Sequence, residues 1–217
     1  GVIGEGVAAS PNPVLGWVGS LDAISPLSGY WVKLSSASNL DVVDAFYTDP
    51  NSVYNLHYGA NLISFPSDQE VALSDALQGD FVSHITGIIG EGVAASPNPV
   101  LGWVGSLSEF QGGKGYWMKV DQAITFSFNI GNGRTVTNVD NIEESDFDFN
   151  QSSEQAFYFV ENLSIPESIK NDDWLLAYNN DILVGARKWN GPNTDIPVMG
   201  NDGGLYSIGY CEDGDVP

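Results

Sequence analysis

Carboxylates are the side chains whose number and spacing first suggest chemistry. The 217-residue chain carries 28 Asp and Glu against 7 Lys and Arg, a formal net charge of -21. A Gly-Glu-Gly triplet occurs twice and sets Glu5 and Glu91 among glycines that permit close backbone approach, as a ligand or a catalytic acid would need. The same triplets also read as tight turns whose glycines take positive φ, and we adopt that reading. No Gly-Lys-Ser/Thr follows either one, which excludes a phosphate loop. Asp146-Phe147-Asp148-Phe149-Asn150 has the spacing that opens an EF-hand loop, but Gln151 stands where glycine is required and Phe157 where the bidentate glutamate belongs. That stretch is expected to be a strand with its phenylalanines inward. An irregular Ca2+ site would draw on Asp172, Asp173, Asp181 and Asp202, which fall at expected loop ends, where Asp also serves local turn hydrogen bonding.

The other reactive side chains are few. His57 and His84 are the only imidazoles and Cys211 the only thiol, so no zinc-ligand spacing exists and no intrachain disulfide can form. There is no Gly-x-Ser-x-Gly elbow, and Glu212, Asp213 and Asp215 around Cys211 disfavour its thiolate. We therefore expect no catalytic residues and no certain cofactor, calcium being the one candidate. Six tryptophans, Trp17, Trp31, Trp103, Trp117, Trp174 and Trp189, could stack on sugar faces or fill a core. Trp17 and Trp103 are the best ligand-binding candidates, because glycine precedes each in an expected loop.

The elements that must position these residues are organised by a tandem repeat. Ile3 to Leu21 recurs without change as Ile89 to Leu107, within the longer likeness of Gly1–Lys33 to Gly87–Lys119. Ser-Pro-Asn-Pro turns and short runs rich in β-branched and aromatic residues predict strands at Leu15 to Val18, Tyr30 to Leu34, Gly59 to Pro66 and Ala123 to Ile130. Ser67-Asp68-Gln69-Glu70 reads as a capping box opening a short helix with Leu73, Ala76 and Leu77 on its apolar face and Gly79 at its end. Asn132-Gly133 predicts a hairpin returning along Arg134 to Val139. Further on, two hairpins are expected, Trp174–Tyr178 with Ile182–Trp189 and Ile196–Met199 with Leu205–Tyr210. The expected fold is mainly β: an incomplete first repeat module and join (1–53), a complete second module with one short helix (54–139), a linker (140–145) and a C-terminal β-sandwich module (146–217).

Composition limits the function classes. An acidic surface repels nucleic acid and anionic lipid, and no apolar run is long enough for a transmembrane helix. Charged residues are only 16% of the chain, so the imbalance reflects missing Lys and Arg. This suits an extracellular, β-rich protein whose self-repulsion is screened by salt, or one that binds calcium. The sequence opens inside a repeat, at Gly1, which suggests a processed piece of something longer and leaves the first module without its opening strand. An exposed sheet edge inviting strand donation is the expected result.

Gly59-Ala60-Asn61-Leu62-Ile63-Ser64-Phe65-Pro66, then Gly102-Trp103, then Gly112-Gly113-Lys114-Gly115-Tyr116-Trp117 resemble a module of large secreted and cell-surface proteins of environmental bacteria and archaea. That module opens with Trp-Asn-Leu-Ile-Ser-x-Pro and closes with Gly-Lys-Gly-Tyr-Trp; Ala60 stands where it usually has Trp, and Leu27-Ser28-Gly29 replaces Gly-Lys-Gly in the first copy. Gln155–Phe159, Asp173-Trp174, Asp181–Arg187 and Ile196–Gly200 are similar to a second module of such proteins. Its members often carry Cys where Leu183 stands, which implies that Cys211 here lacks a partner. The resemblance implies a surface protein and names no chemistry. Together these readings predict a non-enzymatic extracellular or cell-surface structural or adhesive protein, with a filament or surface-layer subunit as the form that strand complementation would give. Its expected partners are copies of itself or neighbouring modules of a longer chain, with polysaccharide as a further candidate, and no nucleic acid or membrane insertion is expected. The alternative is a carbohydrate-binding accessory region of a secreted hydrolase.

Overall fold

A computed structural model describes residues 1–40, 48–131, 147–163, 169–170 and 173–217. The chain is mainly β and forms two compact units, one of Gly1–Gly90 with Ser108–Val136, the other of Glu91–Leu107 with Thr137–Pro217. The second repeat copy is thus divided between them.

In the first unit, β1 (Val2–Gly4), β2 (Val7–Asn12), β3 (Gly16–Gly19) and β4 (Trp31–Val32) form an antiparallel sheet in the order β3-β2-β1-β4. Turn chemistry dictates this sheet. Gly6 supplies φ +67° between β1 and β2, and the Asn12 Oδ1 accepts the Val14 and Leu15 amides at 2.9 Å, turning the chain into Gly16 at φ +78°. Next come β5 (Tyr54–Leu56), β6 (Gly59–Ser64), β7 (Val71–Ala72), helix α1 (Leu73–Ala76) and β8 (Ile85–Gly90). In the second unit lie β9 (Val93–Asn98) and β10 (Gly102–Val104), after which β11 (Glu109–Phe110), β12 (Gly115–Val120) and β13 (Ile124–Phe126) return to the first. Strand β12 pairs antiparallel with β6 on one side and β8 on the other, β11 with β7, and β13 with β5.

The repeat is a structural one. Trp31 faces Ile3 and Val32 faces Val2, just as Trp117 faces Ile89 and Met118 faces Ile88, each pair 86 residues further on. Around the second copy the core of the first unit is aromatic. Phe110 is fully buried, stacks on Phe65 at 5.3 Å and meets Tyr116 and Phe128 edge-on at 4.9 and 5.0 Å. Phe126 and Phe128 extend this cluster to Tyr54, so the alternating phenylalanines of the Ala123–Ile130 stretch do face a core, although regular pairing ends at Phe126. The Asn132-Gly133 hairpin, its return strand and the 140–145 linker lie outside the described residues.

Two local expectations are corrected. The Ser67 Oγ accepts the Gln69 amide at 3.0 Å, closing a two-residue turn, so no capping box forms. Val71 and Ala72 instead pair with β11, and α1 is a single turn closed by Leu77 N–H donating to Leu73 O at 3.0 Å. Gly79, at φ +131°, precedes a 3-10 helix over Asp80–His84.

The second unit continues with β14 (Gln155–Val160), β15 (Trp174–Asn179), β16 (Ile182–Lys188) and β17 (Thr194–Met199). Strands β15 and β16 form the expected hairpin, with Asn180 at φ +54° in its turn, while β14 pairs with β17. The two pairs close over Ala177, Val184, Ile196, Val198, Met199 and Tyr210. β16 and β17 approach closely at Gly185, where a Cβ would stand 1.7 Å from the Pro197 carbonyl oxygen. The second expected hairpin is absent. Leu205–Ser207 is a 3-10 turn, because the Asp202 carboxylate gathers the donors of that loop and folds it back on itself. Residues 147–150 likewise form no strand; Asn150 N–H donates to the Tyr210 hydroxyl at 2.7 Å and Phe149 packs on the core.

Candidate functional site

The repeated stretch builds the same hairpin twice from the same residues. Its Gly-Glu-Gly turn has φ +67° at Gly6 and +68° at Gly92, and its tip has φ +78° at Gly16 and +80° at Gly102. The Ser20 Oγ accepts the Ala8 amide and the Ser106 Oγ the Ala94 amide, both at 3.2 Å. What differs is the use each copy makes of its exposed groups.

In the first copy the turn carboxylate is a strand clamp. Glu5 Oε2 accepts the Leu62 amide at 2.8 Å, on the edge of β6 that β12 leaves open. Gly29 N–H donates to Leu62 O at 3.0 Å and Ser64 N–H to Leu27 O at 3.1 Å, so both outward backbone groups of Leu62 and the outward donor of Ser64 are met. An open strand edge invites unwanted pairing, and this one is closed by the neighbouring module. Glu5 Oε1 also accepts from His57 Nε2 at 2.5 Å, and His57 Nδ1 faces the Tyr58 carbonyl at 2.7 Å. Both ring nitrogens thus face acceptors, which only the imidazolium satisfies in full. The hydrogen bond to Glu5, and after it that to Tyr58 O, raises the His57 pKa above its ordinary 6.5.

In the second copy the hairpin face is what docks. Ser106 Oγ–H donates to Asp195 Oδ2 at 2.7 Å, and Arg187 Nη2 donates to the Gly92 carbonyl at 2.6 Å. Arg187 Nε also donates to Asp195 O at 3.0 Å, and its Nη2 lies 3.5 Å from Asp195 Oδ2. Burial pushes the Asp195 carboxyl up, against the opposing pull of the Arg187 guanidinium and the Ser106 hydroxyl. Sequence reasoning missed this cluster. Its signal was a lone Asp inside the apolar run Thr194–Met199 and one of only 7 cations nearby.

The expected site residues are dispersed. Trp17, on β3, is 62% exposed, Trp103 on β10 is half-buried, Trp189 is buried and the other three tryptophans are half-buried. Asp172 lies outside the described residues. Asp173 Oδ2 accepts the Lys170 amide at 2.8 Å, and Asp181 occupies the β15–β16 turn. Asp202 accepts from Gly204 N–H and Ser207 Oγ on Oδ1 and from Ser153 and the Tyr206 hydroxyl on Oδ2. Asp173 and Asp202 act as turn acceptors, and among the described residues no three His, Cys, Asp or Glu gather around a common point. His84 Nδ1 pairs with Asp121 Oδ1 at 3.0 Å. Burial, then the Asp215 charge, raises the Cys211 pKa, which disfavours its thiolate. A surface groove bordered by Pro50, Ser67 and Gly131 has Asp68 as its one ionisable lining residue among the described residues. No protein-family model, curated protein or solved structure matches this chain.

Proposed function

We propose that the chain is a non-enzymatic structural or adhesive protein of the extracellular or cell-surface environment, built of modules that join by capping one another's strand edges. The observation that carries this reading is the join itself: Glu5 and residues 27–29 of the first copy close the edge of β6 in the second. The net charge of -21 and the surface-module resemblance support the setting. Calcium remains a proposed ligand on the acidic loops.

The same logic extends to β4. Gly1 and Lys33 exchange both backbone hydrogen bonds, so the neighbouring Val32 points its N–H and C=O away from β1. Its counterpart Met118 spends those groups on β6, whereas β4 is an edge of its sheet and Val32 is exposed. Donation of a β6-like strand to β4 by another module would make the chain a filament or surface-layer subunit. The test is sedimentation velocity across a concentration series on wild type and Val32→Pro, which removes the outward donor but no β1–β4 hydrogen bond. Association that V32P weakens is expected. A wild-type monomer throughout, or turnover of a polysaccharide or ester abolished by one carboxylate substitution, overturns the proposal. Exposed Trp17 favours a second reading, polysaccharide binding; affinity electrophoresis in which Trp17→Ala leaves retardation unchanged would sink it.

A further inference from the structure

The nineteen identical residues of the two copies meet different surroundings. In the second copy, residues 91–107 are packed with the C-terminal residues in one compact unit, through the Ser106–Asp195 and Gly92–Arg187 hydrogen bonds. Two glycines report the closeness of that packing: a Cβ on Gly92 would stand 3.2 Å from the Gln151 side chain, and one on Gly105 would stand 3.0 Å from the Phe159 ring. Ala94 is buried there, and Ser96, Trp103, Val104 and Ser106 are half-buried.

The first copy presents the same surface bare. Ala8, Ser10, Trp17, Val18 and Ser20, the counterparts of those five residues, are all exposed, and a Cβ on Gly6 would meet nothing within 4 Å. The surface is already in its docking shape, since turn dihedrals and the serine–amide hydrogen bond agree between copies. An exposed Val18 beside Ser10, with Ala8 and Ser20 on the same face of an otherwise charge-poor strand pair, is the half of an interface whose other half this chain also encodes. We propose that the β2–β3 face of the first copy is a docking site for the C-terminal module, residues 147–217, of another molecule of this chain. There Asp195 receives the Ser20 hydroxyl and Arg187 reaches the Gly6 carbonyl. Each molecule holds two such faces and one C-terminal module, so docking in trans competes with the module's own hairpin, which is present at an effective concentration of order mM. The site therefore exchanges modules between molecules, leaving one face per molecule open to propagate. This docking uses β3 and Asp195 and does not depend on strand donation to β4.

The full chain carrying Ser106→Asp tests it. The new carboxylate still accepts the Ala94 amide but faces the Asp195 carboxylate, so the hairpin survives while its hold on the C-terminal module weakens; Ser20 is untouched. Analytical ultracentrifugation should show S106D associating at least tenfold more tightly than wild type, and S20D/S106D losing that increment. Should S106D lose the far-UV circular dichroism of the folded chain, S106A, which removes only the second-copy hydroxyl, and S20D/S106A are read in the same way. Equal association of wild type and the Ser106 variants, or an increment that survives Ser20→Asp, overturns the proposal. Either result would leave the β4 reading untouched, because V32P reports on that edge alone.

Discussion

Replacing Glu5 by Ala, with Glu91→Ala beside it, sets two identical residues in identical turns against each other. Glu5 Oε2 takes the Leu62 amide at 2.8 Å, and Leu62 is 5% exposed, whereas Glu91 is exposed. A hydrogen bond to a charged acceptor contributes about 1.5–3 kcal/mol. Water can reach part of the vacated edge, because the Glu5 side chain is itself 37% exposed, and returns some of that. The remaining loss for E5A is ~1–2 kcal/mol, while a surface substitution such as E91A stays within about 0.5 kcal/mol. Native-state hydrogen exchange reads the amide directly. Exchange at Leu62 should quicken about 5–30-fold in E5A and hardly at all in E91A. Unchanged Leu62 protection in E5A, or equal acceleration in E91A, would refute the strand-clamp reasoning.

Other consequences follow from the same contacts. Because the folded state raises the His57 pKa above 6.5, its protonated form is the one the fold prefers. Its contribution is full below about 6.5 and is lost as pH rises through the raised folded value; the imidazole NMR titration should therefore lie above 6.5 in wild type and fall back toward it in E5A. Gly185→Ala drives a methyl into the Pro197 carbonyl, so it should cost upwards of ~3 kcal/mol and expose Trp189 to fluorescence quenching; a natively quench-resistant Trp189 would count against the close β16–β17 approach. Phe110→Ala removes the centre of the aromatic cluster, and a loss of ~3–5 kcal/mol in urea unfolding is expected; a loss under ~1 kcal/mol would show the cluster to be loosely packed.

Much of the fold was legible where local chemistry is decisive. Glycine and asparagine at the turns required the hairpin at Asn180, and the alternation of Phe126 and Phe128 marked a buried face. It failed where a side chain had two local choices. Ser67 could cap a helix or close a turn on Gln69, and Asp202 could border a hairpin or collect the donors of its own loop; sequence spacing is the same in both cases, and the competing tertiary contacts chose.

By itself the sequence determined that one hairpin is made twice, since nineteen identical residues carry all of its turn glycines, its Asx turn and its serine bond within themselves. Only the tertiary structure decided that the two are put to different uses. Glu5 meets Leu62 and His57 across more than fifty residues, and Ser106 meets Asp195 across 89, contacts that no local periodicity encodes. Identical residues have identical local preferences, and what separates Glu5 from Glu91 and Ser20 from Ser106 is the surface each is folded against.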